Sequence, residues 1–173
     1  MKLSDVRIVV DSSADLWEPM GVEVVSVPLR IVADREYVDT PALDVSQMTH
    51  QLSRYKGKSS TACPSMGDFL TAFGEAKFVF CITMTSKLSG TYNVALSAAR
   101  ALEEQNEHAR VCVIDSCNTG PGIKLLAERI VALLQGGLDF DEICERVLAY
   151  REETELLFLL ESLHLKHLSS IQF

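Results

Sequence analysis

Hydroxyl-bearing side chains recur along this sequence in short segments that follow predicted strands or extended stretches. These segments are Asp11-Ser12-Ser13, Ser59-Ser60-Thr61, Thr83-Met84-Thr85-Ser86, Ser89-Gly90-Thr91 and Asp115-Ser116. Hydroxyls, and the backbone N–H groups at helix starts, are neutral hydrogen-bond donors that suit an anionic head group such as a carboxylate or phosphate. The sequence therefore predicts an anion site to which several separate segments contribute.

The segment Ser89-Gly90-Thr91 fits such a site. Gly90 has no side chain, so a ligand can approach its backbone closely. Ser89 or Thr91 can point at that ligand, or either can cap the helix that follows. A purely structural role, without ligand contact, is the alternative for each of these hydroxyls, because serine and threonine at strand ends most often form caps and turns.

Motifs of several enzyme classes are absent. The sequence has no G-x-S-x-G nucleophile elbow, no G-x-x-x-x-G-K-[ST] loop and no G-x-G-x-x-G after the first strand. Asp11 follows that strand as a phosphotransferase aspartate would, but Ser13 occupies the position of the second carboxylate. Cys112 and Cys117 lack a second cysteine pair for a zinc site, which favours buried, inert thiols. We predict no catalytic residue, metal ligand or cofactor.

Charge and composition restrict the partners. The 173 residues include 16 Lys and Arg against 24 Asp and Glu, a net charge of −8, which argues against nucleic-acid binding and docking on anionic membranes. The longest apolar run, Leu156–Leu160, is too short to span a membrane, and the first residues build no signal-peptide core. Five scattered cysteines fit reduced thiols. These features predict a cytoplasmic protein.

The elements that must position the hydroxyls alternate along the chain. Apolar runs predict strands at Val6–Val10, Val22–Val27, Phe78–Ile82, Val111–Ile114 and Leu156–Leu160. Leu29–Val38 predicts a hairpin turning at Asp34. Helices are predicted at Ser46–Tyr55, from a capping box at Ser65 to about Ala76, around Val94–Leu102, at Ile123–Leu134 before Gly136-Gly137, and around Ile143–Leu148 after a cap at Asp139 or Asp141.

Strands separated by helices predict an α/β fold with an open parallel sheet and helices on both faces. Right-handed crossovers place the carboxyl ends of all parallel strands at one edge of the sheet. Ligands of open α/β sheets bind beyond that edge. The hydroxyl segments are therefore expected to converge there.

Five motifs in the same order resemble the DegV family. They are Val9-Val10-Asp11-Ser12-Ser13-Ala14-Asp15-Leu16, Val27-Pro28-Leu29 followed by Tyr37-Val38-Asp39, Ser60-Thr61-Ala62-Cys63-Pro64-Ser65, Ser86-Lys87-Leu88-Ser89-Gly90-Thr91-Tyr92, and Val113-Ile114-Asp115-Ser116 with Gly120 and Gly122. The fourth motif is similar to the family's S-S-x-L-S-G-T-Y and the third to its T-S-Q-P-S. The resemblance covers nearly the whole chain.

The resemblance implies a non-enzymatic protein that binds a long-chain fatty acid between two lobes. Bacterial members present the fatty acid to a fatty acid kinase, which makes acyl phosphate. Carried over by motif, Thr61 and Ser89 hold the carboxylate, and the Gly90 N–H is the third donor.

Two departures from the family pattern accompany this match. Ala62-Cys63 replaces the middle pair of T-S-Q-P-S. The family's second lobe follows a segment like L-x-Y-L-x-x-G-G-R-I, whose glycines and arginine are missing from Leu163–Ile171. We therefore expect a DegV-like lobe over residues 1–160, an atypical tail over 161–173 and a largely missing second lobe. Exposed apolar surface would then favour a homodimer or larger assembly with its contact near Leu156–Leu168.

Two other functions remain as alternatives. A phosphate- or nucleotide-binding enzyme domain could use Asp11, Ser89 and Asp115 on the same sheet. A truncated remnant could keep the sheet and have no ligand.

Overall fold

The computed structural model describes residues 1–157, whose strands form one parallel and one antiparallel sheet. The strands of this part are β1 (Val6–Asp11), β2 (Glu23–Val27), β3 (Arg30–Val32), β4 (Glu36–Val38), β5 (Ser60–Ala62), β6 (Phe78–Thr83) and β7 (Arg110–Asp115). The parallel sheet has the order β2-β1-β6-β7. The predicted strand Leu156–Leu160 lies mostly outside the described residues, and its first two residues have no regular secondary structure.

Helices cover both faces of the parallel sheet, which confirms the predicted α/β class. The helices of residues 1–157 are α1 (Val45–Arg54), α2 (Met66–Phe73), α3 (Thr91–Gln105), α4 (Pro121–Gln135) and α5 (Phe140–Arg151), with short 3-10 turns at Leu3–Asp5 and Ser12–Ala14. Helices α2 and α3 pack on one face, and α4 and α5 pack on the other.

Strand β1 is the centre of both cores. Ile8 and Val10 point toward α4 and α5, whereas Val9 points toward α2 and α3. All three side chains are fully buried. Because each burial is worth about 1.5–3 kcal/mol, both faces hold this strand in place, and its carboxyl end is a rigid support for a site.

The small antiparallel sheet has the order β4-β3-β5 and carries Thr61. Strands β3 and β4 confirm the predicted hairpin, whose turn includes Asp34. Strand β5 pairs with β3 and places Thr61 opposite Ile31. The sequence did not identify β5 as a strand, because its three residues show no apolar alternation.

Side-chain caps and backbone conformation determine where the helices begin and end. The capping box predicted at Ser65 is present, with Asp68 as its partner. Helix α2 ends at Phe73 rather than near Ala76, because Gly74 adopts a positive φ of 54° that an α-helix cannot continue. Of the two predicted caps for α5, Asp139 is the one that accepts the Glu142 N–H.

Candidate functional site

Strands β1, β6 and β7 end side by side at one edge of the parallel sheet. Thr83 pairs with Asp115, and Val10, one residue before the end of β1, pairs with Ile82. The segments that follow these strands bond to one another, since the Thr85 N–H donates to the Asn118 carbonyl over 2.8 Å. The predicted convergence of strand-end segments is therefore present.

Asp11 is a fully buried carboxyl group at this edge. Its Oδ2 accepts the Met84 N–H over 2.6 Å, and its Oδ1 accepts both the backbone N–H and the hydroxyl of Ser13. Burial raises the pKa of Asp11, although these hydrogen bonds work in the opposite direction. With both oxygens occupied and no exposure, Asp11 holds the loops together, and this environment argues against its use as a phosphate-site nucleophile.

Ser12 connects the edge of the large sheet to the small sheet. Its hydroxyl donates to Asp39 Oδ2 over 2.6 Å and accepts the Leu29 N–H over 3.0 Å. Leu29 and Asp39 flank the β3–β4 hairpin, and the Asp39 N–H donates back to the Leu29 carbonyl. Ser12 therefore positions the small sheet, and with it Thr61, relative to the carboxyl end of β1.

Asp115 holds the loop between β6 and α3 from the other side. Its Oδ1 accepts the N–H groups of Ser86 and Cys117, each over 3.1 Å. Met84, at the start of this loop, is bonded to Asp11. The loop that carries Ser89 is thus fixed between two carboxyl groups.

Ser89 and Gly90 lie at the end of this loop. The Ser89 hydroxyl is half-buried, lies 2.8 Å from the Thr91 hydroxyl and accepts the Thr91 N–H over 3.3 Å. Gly90 is exposed and begins α3 without a side-chain cap. Thr91 is fully buried, so Ser89 and Gly90 are the members of this motif that face outward.

Thr61 is brought next to this loop. A methyl group placed on Gly90 would lie 4.0 Å from Cys63 Sγ, so the segment Thr61–Cys63 runs beside the start of α3. The Thr61 side chain is exposed and makes no hydrogen bond to residues 1–157. The structure thus places Thr61, Ser89 and Gly90 in neighbouring segments at one edge.

Several residues of this edge were not assigned a structural role from the sequence. Asn118 accepts at its carbonyl from Thr85, and its side chain donates to the Thr154 hydroxyl over 3.0 Å. The buried Thr83 hydroxyl has no hydrogen-bond partner in the described part of the chain. Gly120, whose φ is +56°, brings its turn close to the Ser13 carbonyl. The two carboxyl groups that hold the loops, Asp11 and Asp115, do carry a sequence signal. Each is an aspartate at the end of a strand and is followed by serine.

The burial of two cysteines differs from the expectation. Cys112 and Cys117 were both expected to be buried thiols, but Cys112 is half-buried and Cys117 is exposed. Cys117 lies in a turn after β7, where its backbone adopts a positive φ of 53° and its N–H donates to Asp115 Oδ1. Cys63, beside the proposed head-group residues, is half-buried, and Cys81 is buried.

Two further observations concern residues 1–157 only. No group of three or more His, Cys, Asp or Glu side chains in this part is arranged to hold a metal ion. None of its helices combines the length and the apolar character that crossing a bilayer requires.

The sequence matches the model of a family described as "Uncharacterised protein, DegV family" over residues 5–168. The chain belongs to the DegV family. A DegV domain-containing protein of Streptococcus pneumoniae is 39% identical over 159 residues, and one of Streptococcus gordonii is 34% identical over the same length. These DegV matches cover 89% of this chain and 57% of each relative, so the chain spans little more than half the length of the relatives it matches.

Solved DegV structures share the fold. A DegV family protein of Eubacterium eligens loaded with heptadecanoic acid superimposes with a TM-score of 0.83 at 38% identity. The Fatty Acid Kinase (Fak) B3 protein of Streptococcus pneumoniae loaded with linoleic acid gives a TM-score of 0.80 at 39% identity. Each alignment covers 85% of this chain and 54% of the solved chain.

Proposed function

We propose that this chain binds a long-chain fatty acid and holds its carboxylate at the carboxyl edge of the parallel sheet. The observation that carries the proposal is the approach of Cys63 to Gly90, because it sets the Thr61 segment beside the Ser89 loop. The solved DegV relatives loaded with heptadecanoic and linoleic acid support the ligand class.

The proposed head-group contacts use three donors from two segments. The hydroxyls of Thr61 and Ser89 donate to the carboxylate, and the Gly90 N–H donates at the positive end of α3. The Ser89 hydroxyl can do so while it accepts the Thr91 N–H, since a hydroxyl both donates and accepts. No charged side chain is needed, because three such donors satisfy a carboxylate that leaves water.

The acyl chain supplies most of the affinity in this proposal. Each buried CH₂ group contributes about 0.8 kcal/mol. Leu88 and Met66 adjoin the head-group segments and are 37% and 39% exposed. They offer apolar surface on which the first carbons of the chain can lie.

The protein acts as a carrier in this proposal and performs no chemistry itself. It presents the fatty acid to a fatty acid kinase in the cytoplasm, and the similarity to the Fak B3 protein supports that partner. The proposed homodimer contact near Leu156–Leu168 falls almost entirely outside the described residues.

The test is a titration of the chain and its variants with oleic acid. Thr61→Ala and Ser89→Ala each remove a hydrogen bond to a charged group, worth about 1.5–3 kcal/mol, so we expect affinity to fall about tenfold or more. Thr71→Ala and Ser97→Ala are matched controls, because each loses only a hydroxyl that bonds a carbonyl of its own helix. Unchanged affinity in both site variants would overturn the assignment, and a wild-type chain without affinity would overturn the function.

A further inference from the structure

A small cavity opens at the surface between helices α4 and α5. Its volume is about 270 Å³, and its lining consists of Arg129 from α4, Arg146, Ala149 and Tyr150 from α5, and Glu153 just after α5. Pockets for drug-sized ligands have volumes of about 300–1,000 Å³. This cavity therefore suits a small chemical group rather than a large cofactor.

Helix α5 contributes its side chains along one stripe. Arg146 is three residues before Ala149 and four residues before Tyr150, so the three lie on the same side of the helix. Ala149 carries only a methyl group, which leaves room between its larger neighbours. The cavity is thus built by residue spacing on α5 together with one arginine that reaches it from α4.

Tyr150 holds Arg129 in position. The Tyr150 ring is half-buried and packs against the hydrophobic core under α4 and α5. Arg129 Cζ lies 5.5 Å from the centre of this ring in a cation–π contact. A guanidinium over a ring keeps its N–H groups available as donors. The donor is therefore positioned before a ligand arrives, which reduces the entropy cost of binding.

Neither arginine of the cavity is neutralised by a carboxylate within residues 1–157. No ion pair of this part involves Arg129 or Arg146. No acid lies three or four residues from Arg129 in the sequence. Glu142 has that spacing from Arg146, but its Oε2 accepts the Asp139 N–H in the capping box of α5. Both guanidinium groups are thus available to an anion.

We propose that this cavity binds the phosphate group of a small ligand. Arg129 and Arg146 donate to phosphate oxygens from the two helices, and the Tyr150 hydroxyl donates to a further oxygen. Two arginines and one acid, Glu153, give the lining a net charge of +1. A phosphate dianion has the charge and the number of acceptor oxygens to use all three donors, whereas a carboxylate has one charge and two oxygens.

This site is separate from the proposed fatty acid site. Helices α4 and α5 pack on one face of the parallel sheet, whereas Gly90 begins α3 on the other face. The same phosphate chemistry is offered by a soluble phosphate and by an anionic lipid head group. Because the net charge of −8 opposes approach to an anionic bilayer, we expect the soluble source.

The test measures binding of inorganic phosphate by isothermal titration calorimetry at constant ionic strength, since salt screens exposed charges. We expect saturable binding that Arg129→Gln and Arg146→Gln each weaken about tenfold or more. Glu153→Gln should strengthen binding, because it removes the negative charge of the lining. Arg100→Gln is the matched control, since Arg100 is an exposed arginine of α3 without an ion pair in the described chain.

A second arm uses sedimentation with vesicles of phosphatidylcholine, with and without phosphatidic acid. Binding only to the vesicles with phosphatidic acid, weakened by both cavity arginine variants, would assign the same phosphate site to a lipid head group. Thermal melting shows whether each variant is folded, and if one arginine variant fails to fold, the other and Glu153→Gln decide the matter. The proposal is overturned if neither probe binds, or if Arg100→Gln weakens binding as much as the cavity variants do.

Discussion

At the scale of single residues, the hydroxyls of the sheet edge divide into two groups. Ser12 and Ser13 bond to Asp39 and Asp11, so they are structural. The Thr61 hydroxyl is exposed and makes no hydrogen bond within residues 1–157, and the Ser89 hydroxyl can donate to a ligand while it accepts the Thr91 N–H. The sequence could predict that all four hydroxyls lie at one edge. It could not show which of them have structural hydrogen bonds and which are available to a ligand, because those bonds depend on residues far apart in the chain.

The contributions of Asp11 and Asp68 to folding stability depend on pH in opposite directions. Burial raises the pKa of Asp11 above its usual 3.8, so the folded chain binds that proton more tightly than the unfolded chain. Its contribution to folding is present below pH 3.8 and is lost as pH rises through the raised value. Hydrogen bonds from Ser65 lower the pKa of Asp68, whose contribution is present above pH 3.8 and is lost as pH falls through the lowered value.

The two pKa shifts predict opposite pH trends in the free energy of unfolding of the wild type relative to each variant, measured with urea across acidic pH. The free energy of unfolding of the wild type, minus that of Asp11→Asn, should decrease as pH rises. The same difference for Asp68→Asn should increase. A wild-type advantage over Asp11→Asn that grows with pH would show that the native fold stabilises the ionised form of this carboxyl group instead.

At the scale of elements, short segments rather than the long helices position the candidate site. The loop between β6 and α3 is held by Asp11 and Asp115, and the small sheet is held by Ser12. The sequence predicted the long helices and buried strands well, because their apolar periodicity is local. It did not reveal β5 or the anchoring of the loop, since both depend on hydrogen bonds between distant segments.

The Asp115 anchor can be tested by removing its acceptor oxygens. Asp115→Ala frees the N–H groups of Ser86 and Cys117, so the Ser89 loop should lose its position. We expect oleic acid affinity to fall at least about fivefold, the equivalent of about 1 kcal/mol. Asp115→Asn keeps an acceptor oxygen and should restore most of the affinity. Asp34→Ala, in the exposed hairpin turn, is the control, and equal affinity in it and in Asp115→Ala would contradict the anchor.

The turn between β7 and α4 depends on glycine at position 120. Its φ of +56° is disfavoured for residues with a Cβ, so Gly120→Ala should lower the free energy of unfolding by about 1–2 kcal/mol. Gly67 lies in the first turn of α2, where an added methyl group would meet Ser65 Oγ at an ordinary contact distance of 3.8 Å, so Gly67→Ala should be neutral or slightly stabilising. Chemical denaturation compares the two, and equal stability would contradict a strained turn.

At the scale of the whole molecule, residues 1–157 form a parallel sheet covered by helices on both faces, and the chain matches 54–57% of the length of its relatives. The described residues contain every head-group donor that we propose. Family membership could be predicted from motifs, whereas the approach of the Thr61–Cys63 segment to Gly90 required the fold.

The most direct test of the central claim is nuclear magnetic resonance of oleic acid labelled at its carboxyl carbon, bound to the chain. The wild type should give a carboxyl resonance distinct from that of free oleic acid, and Thr61→Ala and Ser89→Ala should each shift or abolish it, whereas Thr71→Ala and Ser97→Ala should leave it unchanged. A bound resonance identical in the wild type and both site variants would show that these hydroxyls do not hold the carboxylate.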